Sequence, residues 1–167
     1  MASPIFLYTA SAIFVAYVVT IFAKFGLLLS LSESHYKWKE VHKKLGFIFP
    51  LFILSLIVVL LPYWFDVSSE DTRFCAFLSL CGLLFVAGAP LFKDKFQRRV
   101  HFCGASVSWL GANGWLFFNG FWEMPVAFMI IASIYTLIHR KSWLLWFELA
   151  GILSLLTILL INHIKTI

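Results

Sequence analysis

The chain has 167 residues, 62% of them hydrophobic and 13% charged, with a mean hydropathy of +0.93 and a formal net charge of +5. An apolar share this far above the roughly 45–50% of soluble domains excludes a water-soluble globule. The cations are spread over short loops beside apolar segments, where the positive-inside rule and anionic lipid account for them, so nucleic acid is not an expected partner.

A membrane span needs about 20 mainly apolar residues, and six such stretches fit end to end. The first runs from about Pro4 to Leu31 and is interrupted only by Lys24; the second runs from Leu45 to Trp64 and carries Pro50 and Pro62. The others cover about Phe74–Phe92, His101–Phe118, Met124–Ile138 and Trp143–Ile161. Met1 to Leu31 opens without Lys or Arg and stays apolar too long for a signal peptide, so it reads as a span. The expected fold is all-α: one integral membrane domain over residues 1–167, a polytopic bundle of six transmembrane helices.

Ten of the thirteen Lys and Arg residues lie in alternate loops: Lys37, Lys39, Lys43 and Lys44, then Lys93, Lys95, Arg98 and Arg99, then Arg140 and Lys141. This bias predicts that the basic loops face the cytoplasm and that both termini lie outside, as in a bacterial inner-membrane protein. Trp38, Trp143 and Trp146 fall near the inner boundary, and Tyr63, Trp64 and Trp122 near the outer, as an aromatic belt should.

Lys24 and Glu148 are the ionisable residues set deepest in apolar segments, where a charge costs on the order of 3 kcal/mol and needs a partner or water. With ~1.5 Å of rise per residue both lie roughly 10 Å from the inner boundary. They read as a structural ion pair or as part of an ion path, with snorkelling of Lys24 as the alternative. In the fourth span Gly104, Ser108 and Ala112 recur every four residues, beside Ala105, Gly111 and Gly114; small residues at that spacing let helices approach closely. The span is therefore expected at the bundle centre or between subunits, with Asn113 hydrogen-bonded across helices or lining a pore.

His35, His42, His101 and His139 are all expected at the cytoplasmic boundary, with Glu33, Tyr36 and Asp94. Such a cluster suits a lipid hydrolase or transferase with a His and acidic site, though no two histidines share a ligand spacing. Cys75, Cys81 and Cys103 make no metal-ligand pattern and read as small packing residues. Phosphate loops, nucleophile elbows and HExxH are absent, so neither enzyme activity nor any metal or cofactor is indicated.

Leu31-Ser32-Glu33-Ser34-His35-Tyr36, the run from Phe77 to Pro90, Val100-His101 and Trp146-Phe147-Glu148 together resemble a group of small uncharacterised six-span membrane proteins of gut bacteria and their phages. That resemblance singles out Ser34, Tyr36, His101 and Glu148 and implies no function. The leading expectation is a non-enzymatic inner-membrane protein with the lipid bilayer as partner, forming an oligomeric pore or phage-related envelope factor as a homo-oligomer. The alternatives are the lipid hydrolase or transferase, with its polar site at Ser34, His35, Tyr36 and His101, and a small ion- or proton-coupled carrier.

Overall fold

A computed structural model describes residues 3–90 and 94–165, apart from the side chains of Lys141 and Lys165. The end of the third expected span, Leu91–Phe92, and Lys93 of the basic loop after it lie outside the described residues. Within them the chain is helical without strands: α1 Ile5–Phe25, α2 Ser34–Val41, α3 Ile48–Val67, α4 Glu70–Gly88, α5 Lys95–Phe118, α6 Glu123–Ile138 and α7 Trp143–Lys165. Short 3-10 turns, Lys43–Phe47 and Arg140–Ser142, lead into α3 and α7.

The helix boundaries differ from the apolar runs for local reasons. α1 stops at Gly26, whose positive φ of 70° is open to glycine, and Gly26 N still donates to Phe22 O at 3.0 Å. Residues 27–31, expected to finish the first span, instead form an irregular strap together with residues 32 and 33. α4 begins earlier than expected because Ser69 and Thr72 share a hydrogen bond at 2.8 Å and Glu70 and Asp71 suit a helix N-terminus. α5 also starts early: the Asp94 carboxylate accepts from Phe96 N and Gln97 N, both at 3.1 Å, capping the helix six residues before His101.

Four segments, Ile5–Phe25, Lys43–Val67, Glu70–Gly88 and Trp143–Ile164, are long and apolar enough to cross a membrane. α5 has the length but opens with Lys95, Arg98 and Arg99, and α6 is 16 residues long. Large apolar side chains face outward along the helices, including Val58, Phe74, Leu110 and Ile130, each more than half exposed. A soluble protein does not carry apolar surface on this scale; an integral membrane protein turns it to lipid.

α3, α4, α5 and α7 enclose the centre, and α1 packs against both α3 and α7. The tightest seam joins α4 to α5. A Cβ on Gly82 would sit 2.4 Å from Ser108 N, and one on Gly104 would sit 2.7 Å from Gly82 O, so the two backbones touch where side chains are missing. Gly111 meets Cys75 O and Ser79 N in the same way, each at 2.7 Å. The small-residue helix thus mates with α4 inside one chain. It is not central: Phe117 and Phe118 are largely exposed, and it is α7 that touches α1, α5 and α6.

Candidate functional site: a chamber ending at Glu148

Along α3, Phe49, Ile53, Leu56 and Leu60 repeat at helical spacing, and all four line a central cavity of about 130 Å³. α5 contributes His101, Ala105, Ser108, Trp109 and Ala112, while α7 contributes Glu148, Gly151, Ile152, Leu155 and Leu156. Glu148 and Leu156, eight positions apart, are separated by ~12 Å along the helix, so the lining is drawn out along α7. Its walls are mainly hydrocarbon.

At one end lies the strap, with Leu31 and Ser32 in the lining. Leu31 N donates to Glu148 Oε2 at 2.6 Å, and Leu145 N donates to Leu29 O at 3.1 Å, so two hydrogen bonds latch the strap onto the first turns of α7. The strap is also tied internally. Leu29 N donates to Glu33 Oε2 at 2.6 Å, and the hydroxyls of Ser30 and Ser32 are 3.0 Å apart. Glu148 is the one carboxylate in the cavity wall, and among the described residues no Lys, Arg or His forms an ion pair with it.

Lys24 and Glu148, expected as partners, are not brought together. Lys24 is exposed at the end of α1 and stands 4.6 Å from the ring centre of Trp38 and 5.9 Å from that of Phe25. A long stem ending over an indole meets the ammonium's electrostatic need without a carboxylate. Glu148 takes a backbone amide instead, because the break at Gly26 delivers a loop, with free N–H groups, beside α7.

His101 lies at the same end. Its Nδ1 carries the proton and donates to Ala89 O at 3.0 Å, joining the start of α5 to the end of α4. His35 is buried in α2 and donates from Nδ1 to Gly46 O at 2.7 Å, which leaves Nε2 as an acceptor without a partner among the described residues. Burial holds its pKa below the usual value, outweighing the Gly46 bond that favours the charged form, and Lys39 lowers it further. Ser34 is fully buried, bonded to Tyr17 and Leu31 O, and secures α2 beneath α1. Tyr36 stacks edge-on against His35 at 5.2 Å. Of the four residues proposed as a polar site, His101 reaches the cavity wall; Ser34, His35 and Tyr36 do not. The described residues gather no three of His, Cys, Asp and Glu within metal-ligating reach.

Far from the strap, Trp64 and Trp115 cross edge to face at 5.9 Å, and Trp115 Nε1 donates to Ser68 Oγ at 2.8 Å, which in turn donates to Trp64 O. Both indoles are 1% exposed. Asn113 lies on the opposite side of α5 from the α4 seam, lines an outer groove and donates to Trp109 O at 2.8 Å, within its own helix. Reasoning from the sequence overlooked Ser32, the Leu31 amide, Trp109 and Gly151. Only Gly151, a glycine within an apolar helix, carried any signal of close approach. Comparison with protein-family models, with curated proteins and with solved structures finds no match for this chain.

Proposed function

We propose that this chain is a six-span, non-enzymatic membrane protein that holds a single-chain amphiphile inside its bundle, with a protonated amine at Glu148. The observation that carries this reading is one carboxylate at the end of an apolar chamber drawn out along the helices, with, among the described residues, a single amide hydrogen bond and no cationic side chain. A buried carboxylate needs a proton or a counter-charge, and an ammonium group supplies both charge and hydrogen-bond donors. The volume is close to the ~150 Å³ of an engineered cavity that binds benzene; drawn out along the helices, it suits one short alkyl chain and not two.

On this reading α5 and α6 are also spans, the strap and α2 face the cytoplasm, and both termini lie outside, which the basic residues in alternate loops support. The buried Trp64 and Trp115 at the other end favour a closed chamber over a pore through one chain. A pore would have to run between copies.

The test is binding of an alkyl amine, an alkyl alcohol and a fatty acid of equal chain length to purified protein in nanodiscs. The amine is expected to bind most tightly and the acid least, with the difference between amine and alcohol disappearing in Glu148→Gln. Equal binding of all three, or none, would refute the assignment.

A further inference from the structure

Trp109 belongs to two spaces at once. It lines the chamber, and it also lines an apolar groove of about 580 Å³ between α5, α6 and α7 that includes Phe117, Met129, Ile130 and Phe147. The groove exists because α6 packs on α7 and stands away from α5, its chain neighbour across the turn at Gly120. Its α6 wall, including Val126, Ile130 and Ile134, is about half exposed, so the groove opens on the apolar outer surface.

Trp109 therefore stands between the chamber and that surface. Trp109 can lie there because α7 carries no side chain at Gly151: a Cβ at this position would stand 3.0 Å from Trp109 Cδ1 and 3.2 Å from Nε1. Trp109 is 38% exposed, whereas Trp64 at the chamber's far end and Trp115 packed against it are 1% exposed. The end beneath the strap is closed by two backbone-anchored hydrogen bonds, Leu31 N to Glu148 and Leu145 N to Leu29 O. The strap end thus presents two hydrogen bonds to a passing molecule, and the Trp109 side presents one partly exposed side chain.

We propose that Trp109 is a lateral door, seated on Gly151, through which the amphiphile enters the chamber directly from the bilayer, its alkyl chain lying in the α5–α6–α7 groove as it passes. This rests on the amphiphile reading above. The occupant is accordingly a lipid-dissolved single-chain molecule, not a water-borne solute delivered past the strap.

The experiment measures uptake and release of a spin-labelled alkyl amine by the full chain in phosphatidylcholine vesicles, for wild type, Trp109→Ala and Gly151→Ala. Removing the door is expected to speed uptake and release together by about tenfold, a barrier change of ~1.4 kcal/mol, with Kd within about threefold of wild type. The methyl group of Gly151→Ala lifts the indole off α7 and is expected to speed both rates in the same sense by a smaller factor. It also decides the matter if Trp109→Ala does not fold. Wild-type uptake and release rates in the variants would overturn the door while leaving the chamber reading intact. Faster release with unchanged uptake would make Trp109 a mere contact and also overturn it. A wild type that takes up no probe defeats the door and the amphiphile reading together.

Discussion

The Glu148 carboxylate accepts a 2.6 Å hydrogen bond from the Leu31 amide, joining the loop after the first helix to the first turns of the last. One side chain both faces the chamber and fastens its lid. Its two roles separate by substitution.

Glu148→Gln keeps a carbonyl oxygen for the Leu31 N–H, so stability is expected to fall by only about 0.5–1.5 kcal/mol. Glu148→Leu leaves that amide unpaired and is expected to lose more, about 1–3 kcal/mol. Unfolding of the purified protein in mixed micelles by denaturant titration checks the order. A glutamine variant as unstable as the leucine variant would mean the hydrogen bond is not what holds the strap.

Lys24→Met removes an ammonium that rests on Trp38, a contact of about 0.5–1 kcal/mol at an exposed site. Because Lys24 and Glu148 share no contact, the Lys24→Met/Glu148→Leu double variant is expected to show the sum of the single losses within about 0.3–0.5 kcal/mol. Recovery of stability in the double variant would restore the ion pair that the geometry lacks.

At the α4–α5 seam, Gly82→Ala and Gly104→Ala force the two backbones apart and are expected to cost about 1–3 kcal/mol each. Gly114 is the internal control. A Cβ there meets only Cys75 Sγ, at 3.7 Å, so Gly114→Ala is expected to be neutral or to gain up to about 1 kcal/mol of helix propensity. Thermal melts of the three variants discriminate a touching seam from a loose one, which would tolerate all three.

His35 gives a pH dependence with a definite sign. Its folded pKa lies below the usual 6.5, so the unfolded chain takes up the proton first. The stability that goes with neutral His35 is fully present above pH 6.5, declines as pH falls below it, and levels off once pH passes the lowered folded pKa. Melting temperature measured from pH 8 downward is expected to drop through this window. His35→Gln is expected to flatten that part of the curve; an unchanged slope would move the effect to another group.

The helical bundle was legible because hydropathy reports burial in lipid and in protein alike. The same fact concealed the strap: Leu27, Leu28, Leu29 and Leu31 are as apolar as a span, and only Gly26 marks the break. α2 was missed because Lys37, Trp38, Lys39 and Glu40 read as a loop, although Ser34, His35 and Trp38 are buried along one side. Gly104 and Ser108 announced close packing by their spacing, but their partner is defined by Gly82 and Ser79 on α4, which form no comparable periodic run. Glu148 stood out as a charge in an apolar helix. Its partner did not, because a backbone amide has no letter in the sequence.

The strap also imposes an order on assembly. Helices emerge from the ribosome N-terminus first, so Leu29 and Leu31 are made long before Leu145 and Glu148, the groups that will engage them. Until α7 inserts, the chamber lacks a wall and the strap has nothing to hold it. α7 is therefore the helix that completes the enclosure, and without it the chamber loses its wall from Glu148 to Leu156.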